Sequence, residues 1–168
     1  MTLRLSETLL AEFDRETALT RRMLERTPAD RFDWRPHEKS MTLGRLVTHL
    51  AELVGWGASV LTSEGADLTG SSRSDRAETS LAAVLARFDE SVASARRGIA
   101  DRTDGELLAP WTLKRDGQEV FTAPRIMAAR AVLLQHSAHH RGQLSVYLRL
   151  LDVPLPPLYG PTADEGAF

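Results

Sequence analysis

Cysteine is absent from the sequence. That gap excludes disulfides, thiolate metal sites, iron–sulfur clusters and a cysteine nucleophile together, and it fits a reducing compartment. Long apolar runs are missing as well, so no stretch is expected to cross a bilayer. The opening residues include Arg4, Glu7, Glu12 and Asp14, where a secretion signal would need an apolar run. A soluble, cytoplasmic protein with no membrane partner is the expectation. Neither charge sign is in excess: 21 basic and 23 acidic side chains leave a formal net charge of −2. Nucleic-acid binders ordinarily carry a basic excess or stripe. The pairs Arg21–Arg22 and Arg96–Arg97 read as solvated helix faces, so no nucleic-acid partner is expected.

The 168 residues are 42% hydrophobic. That is enough for one domain, 1–168, with a core that needs no staple. A metal in such a chain is functional rather than a folding requirement.

Four segments carry a helical period, and none alternates with period two over a useful length. The first spans about Leu3 to Arg26, with Leu5, Leu9, Phe13, Thr20 and Leu24 on one stripe. Thr27-Pro28 ends it, because proline disfavours helical geometry in the residue before it. The second spans about Thr42 to Leu61, with Leu43, Leu46, Val47, Leu50, Leu53 and Val54 as its apolar face. Gly55 and Gly57 weaken its end or allow close backbone approach. The third spans about Thr79 to Ala100, where Leu81, Val84, Leu85, Phe88, Val92, Ala95 and Ile99 give the cleanest amphipathic pattern. The fourth spans about Pro124 to Leu151, with Thr122 as its cap and Pro124 in its first turn. Ala129, Leu133, His136, His140, Leu144, Tyr147 and Leu151 line one face of it.

The fold expected from this pattern is an all-α four-helix bundle with long crossover connections. Thr62 to Glu78, rich in Gly, Ser and Asp, reads as an exposed, mobile loop. Asp101 to Phe121 contains Trp111 and an Arg115-Asp116-Gly117 turn signal, which points to a small hairpin or an ordered flap. Residues 154–168 open on several prolines and read as an extended tail.

Three of the five histidines fall in His136-Ser137-Ala138-His139-His140. Helical residues four apart share a face, with Cβ atoms roughly 5–6 Å apart, so His136 and His140 can both address one ion. Both interrupt the apolar stripe between Leu133 and Leu144, and imidazoles aimed into a core must find partners. His49 repeats the oddity between Leu46 and Leu53. A lone histidine on an apolar face is ordinarily a hydrogen-bonded core residue, but the agreement of two helix faces favours a metal. Three imidazoles would leave positions open for water or substrate, the pattern of a catalytic site. His139 lies one residue off the stripe and is expected to face another helix, a partner or solvent. His37 sits in a loop and reads as a surface residue. Glu52 and Gln143 lie one turn from candidate ligands, where they either orient the imidazoles or face solvent.

Two rival metal motifs are excluded. The Glu-x-x-His pairs of di-iron bundles find no match, because no histidine has an acid three residues before it. The His-Glu-x-x-His of zinc proteases is absent too. The candidate is therefore mononuclear and histidine-rich.

The stretch Asp33-Trp34-Arg35-Pro36-His37-Glu38-Lys39-Ser40-Met41, followed by Leu43-Gly44-Arg45-Leu46 and Thr48-His49, resembles the N-terminal signature of DinB-like (DinB/YfiT) proteins. His136 to Leu144, reading HSAHHRGQL, resembles their C-terminal signature, and Val153 to Glu165 resembles their usual tail. The resemblance implies a four-helix bundle of unusual connectivity, often a homodimer. It also implies one divalent metal ion, zinc or nickel, on His49, His136 and His140. Imidazole ligands suit both metals. It further implies transferases that join a low-molecular-weight thiol of the bacillithiol or mycothiol type to a small electrophilic substrate. A metal-dependent hydrolase and a non-catalytic metal-binding stress-response protein are the alternatives. No catalytic acid or base can be named from the sequence.

Overall fold

The computed structural model describes residues 3–69 and 76–166. The order of elements is α1 (Leu5–Glu25), α2 (Leu43–Thr62), β1 (Gly65–Asp67), α3 (Leu81–Ala100), α4 (Asp104–Leu108), β2 (Pro110–Arg115), β3 (Gln118–Pro124), α5 (Arg125–Arg130), a π-helical turn (Ala131–His136) and α6 (Ser137–Leu150). The last three form one continuous helical run. Among the described residues, no helix is long and apolar enough to cross a membrane.

The long helices start where side-chain oxygens satisfy the first free N–H groups. Thr42 Oγ1 accepts from Arg45 N at 3.2 Å at the head of α2, and Ser80 Oγ accepts from Ala83 N at 3.2 Å at the head of α3. Each helix buries its apolar stripe against its neighbours. α2 packs on α3, α5, the π turn and α6, and α1 packs on α3 and α6. Leu9, Phe13, Leu50, Val84, Phe88, Ile99, Leu144 and Leu148 meet in the core between them. Among the described residues, none after Leu150 belongs to a helix or strand. The tail is tied down by Arg149 NH1 to Asp164 Oδ1 at 3.2 Å, by Arg26 to Glu165, and by Arg22 NH1 to the Pro157 carbonyl at 3.3 Å.

The all-α expectation needs correction, because a three-stranded sheet in the order β1-β2-β3 accompanies the helices. β1 runs parallel to β2, which pairs antiparallel with β3. Arg115-Asp116-Gly117 does make a hairpin: Asp116 (φ 52°) and Gly117 (φ 75°) both adopt the left-handed conformation of a tight two-residue turn. The stretch from Thr62 to Glu78 is not simply a loop, since Gly65–Asp67 pairs with Thr112–Lys114; residues 70–75 lie outside the described residues. Thr122 does not cap the fourth helix. It sits in β3 with its hydroxyl 2.8 Å from that of Thr112, and Pro124 remains extended just before Arg125. Strand pairing there overrides the local capping preference.

Arg125 links sheet and helices. Its side chain is buried, and it donates from NH1 to Val60 O at 3.0 Å and to Ser63 O, and from Nε to Glu106 O at 3.2 Å. The guanidinium thus serves the unpaired carbonyls at the C-terminus of α2, where a cation is favoured.

Candidate metal centre

α2 and the final helical run lie side by side and antiparallel, and contacts along their length set where the histidines fall. At one end the backbone of α2 closes on the π turn at Gly57. A Cβ there would stand 2.1 Å from Leu133 Cδ2, so only glycine leaves room for that leucine. At the other end Tyr147 Oη donates to Met41 O at 3.1 Å, and the Tyr147 ring meets Trp34 edge-on at 5.7 Å. His49 faces His136 and His140 between these two contacts.

The π turn ends on His136. Ser137 Oγ lies 3.4 Å from the carbonyl of Val132, five residues earlier. Such turns concentrate at functional sites, where they re-aim side chains within a helix. The fourth helix, expected from about Pro124 to Leu151, runs from Arg125 to Leu150 and passes through this turn. Beyond it α6 restores the four-residue spacing that brings His136 and His140 together.

The three rings converge. His49 lies 5.6 Å from His136 and 4.5 Å from His140, and His136 lies 4.7 Å from His140, between centroids. One nitrogen from each falls within 4.8 Å of the other two, and His136 Nε2 is 2.9 Å from His140 Nε2. His140 is 5% exposed and the His49 side chain 12%.

This donor set fits a metal ion. Two imidazole nitrogens on one tetrahedral zinc, each at about 2.0–2.1 Å, stand about 3.3 Å apart. The 2.9 Å pair and the 4.8 Å limit bracket that value, so small side-chain adjustments bring all three into range. The donors are imidazole nitrogens on two packed helices, and among the described residues no carboxylate joins them in the cluster.

The surroundings divide unequally. Gln143 Oε1 lies 2.7 Å from His140 Nδ1, so this residue meets a candidate ligand directly. Glu52 Oε2 lies 3.9 Å from His49 Nδ1, beyond hydrogen-bonding range, and accepts instead from Arg45 NH1 at 2.9 Å. Arg87, 3.7 Å from the other Glu52 oxygen, bonds Glu78 at 2.8 Å. The Glu78 N–H donates to Thr48 Oγ1 at 2.9 Å. This chain of charges pins the start of α3 to α2 beside His49.

His139 is exposed, with its ring 4.9 Å from His140. It stays outside the cluster. His37 is exposed in its loop, where Nδ1 accepts from Lys39 N at 3.1 Å.

Sequence reasoning missed a second polar cluster on the same helix. Arg141, next to His140, is 1% exposed. It donates from NH1 to Glu16 O and Thr20 Oγ1, both at 2.8 Å, and from NH2 to Glu16 Oε2 and Tyr159 Oη. Tyr159 Oη donates to Glu16 Oε2 at 2.6 Å. Burial pushes the Glu16 carboxyl up, but the Tyr159 hydroxyl and the Arg141 guanidinium outweigh it and hold the group below its ordinary value.

Comparison with known proteins agrees with this architecture. The sequence model of the DinB superfamily matches residues 12–144. Two solved structures share the fold. One is a DinB-like protein from Bacillus cereus ATCC 10987, with a TM-score of 0.71 and 21% identity over 95% of this chain and 100% of that one. The other is the DinB-like protein YjoA of Bacillus subtilis, with a TM-score of 0.70 and 19% identity over 90% of this chain and 97% of that one. Among curated sequences, the uncharacterized protein YrdA of Bacillus subtilis strain 168 is 46% identical over 35 residues, 21% of either chain.

Proposed function

The chain belongs to the DinB superfamily, and on that premise we propose that it is a metalloprotein in which His49, His136 and His140 hold one divalent ion, zinc or nickel, for a thiol-transfer reaction. One observation carries this reading: three imidazoles from two helices converge within 4.8 Å in a mostly buried position. The scaffold is a four-helix bundle formed by the whole chain, 1–168, and works as a cytoplasmic homodimer.

His49, His136 and His140 would hold such an ion, which would supply the Lewis acidity that lowers the pKa of a thiol or water. The rest falls to the chain. His49 comes from α2 and His136 and His140 from the facing helix, so holding the ion also fixes the two helices at their mid-contact. His140 is buried and His49 and His136 are half-buried, which limits the approach of bulk water to the rings. With no cysteine in the sequence, the thiol comes from outside, as a small molecule of the bacillithiol or mycothiol type. The second reactant is a small electrophile. A hydrolase acting with water is a variant of the same site.

A non-catalytic role, metal binding in a stress response, draws support from Glu52. This is the acid nearest His49 among the described contacts, and it is committed to Arg45. Incubating metal-loaded protein with a low-molecular-weight thiol and a chlorinated aryl electrophile separates the roles: a conjugate favours the transferase, and none across several thiols and metals favours binding alone. The metal itself is tested by elemental analysis of protein purified without a histidine tag. We expect close to one ion per chain, and a sharp fall in His136→Ala. Unchanged metal content in that variant would refute the assignment.

A further inference from the structure

Resting on the reading that the three imidazoles share an ion, we propose that Gln143 is a positioning residue that fixes which nitrogen of His140 is offered to it. Gln143 lies one turn beyond His140 on α6, with its side chain at the surface. Its amide oxygen faces His140 Nδ1 at 2.7 Å. An amide oxygen only accepts, so Nδ1 carries the proton of the neutral ring. Nε2 is then left with its lone pair, and it is Nε2 that points into the cluster, 2.9 Å from His136 Nε2. The nitrogen that ligates is set by the hydrogen bond the other nitrogen makes.

The two polar residues that lie one turn from a candidate ligand differ in this respect. Glu52 stands 3.9 Å from His49 Nδ1 and is bound to Arg45, so it does not grip that ring as Gln143 grips His140. Gln143 thus presents His140 Nε2 to the point where the three rings meet.

The test uses the full chain without a tag. Zinc affinity is measured by competition with a chromophoric chelator for the natural protein, Gln143→Leu and Gln143→Glu. The protonated nitrogen of His140 is read from 15N chemical shifts of the metal-free protein. Because Gln143 is exposed, neither variant disturbs the core, and far-ultraviolet circular dichroism checks this. We expect His140 protonated on Nδ1. We expect Gln143→Leu to weaken zinc binding about 10–100-fold. Gln143→Glu, whose carboxylate accepts the same hydrogen bond, should bind at least as tightly as the natural protein. Unchanged affinity in Gln143→Leu, an equal loss in Gln143→Glu, or a metal-free His140 protonated on Nε2 would each overturn the inference. A natural protein that binds no zinc or nickel would instead refute the metal assignment, and the His140 tautomer would still decide the role of Gln143.

Discussion

His140 and Arg141 are neighbours on α6, both buried, and they enter two polar clusters of opposite character. Arg141 turns toward α1 and finds complementary partners: a carboxylate, a carbonyl and two hydroxyls receive its N–H groups. Donors meet acceptors and the charge is balanced, so the cluster is complete without a ligand. His140 turns toward α2 and meets two more imidazoles. These are groups of the same kind, with nitrogens converging on one point and no opposing charge among them. Opposite charges that meet hold a fold together, whereas three imidazole nitrogens gathered within 4.8 Å are the arrangement a metal ion can bridge.

If this contrast is correct, the two clusters break differently. The largest effect on stability is expected at Arg141. Arg141→Ala removes a buried guanidinium and leaves the half-buried Glu16 without its counter-charge, an expected loss of about 3 kcal/mol. Chemical denaturation should show that loss. His136→Ala should empty the metal site while changing the stability of the metal-free protein far less. A similar loss of stability in both variants would erase the distinction.

Gly57→Ala is expected to cost about 1–3 kcal/mol through overpacking against Leu133. Because Leu133 belongs to the π turn that ends on His136, the variant should also weaken metal binding, a coupling visible when denaturation and zinc titration are run side by side. The smallest effect concerns pH. The folded Glu16 carboxyl titrates below its ordinary value. Its contribution to stability is therefore fully present above the ordinary carboxylate range and lost as the pH falls through the lowered folded value. Natural protein and Glu16→Gln, compared by denaturation between neutral and acidic pH, should converge in stability as the pH drops. A constant gap between them would contradict this.

The helices α1, α2 and α3 and the histidine face were legible in the sequence because each repeats with the helical period. Leu46, His49 and Leu53 announce one face of α2, and Leu133, His136, His140 and Leu144 the facing one. The hairpin turn was legible in Arg115-Asp116-Gly117, but the strands and their pairing with β1 were not, for a physical reason. β3 is exposed along almost its whole length and β2 buries only Trp111 and Leu113, so neither strand shows sustained alternation. β1 has three residues and pairs with a strand far along the chain. The π turn leaves no compositional mark, since Ala131 to His136 contains neither glycine nor proline. Arg141 reads as surface because its partners Glu16 and Thr20 lie more than a hundred residues away. Gln143 and Glu52 were equally visible as residues one turn from a ligand. Only side-chain geometry separates them, giving one His140 and the other Arg45.

The central claim is that three imidazoles hold one ion, and anomalous diffraction from crystals soaked in zinc or nickel tests it most directly. A single strong peak about 2.0–2.1 Å from one nitrogen each of His49, His136 and His140 is the predicted result. A peak on other residues, or none between those rings at saturating metal, would contradict it.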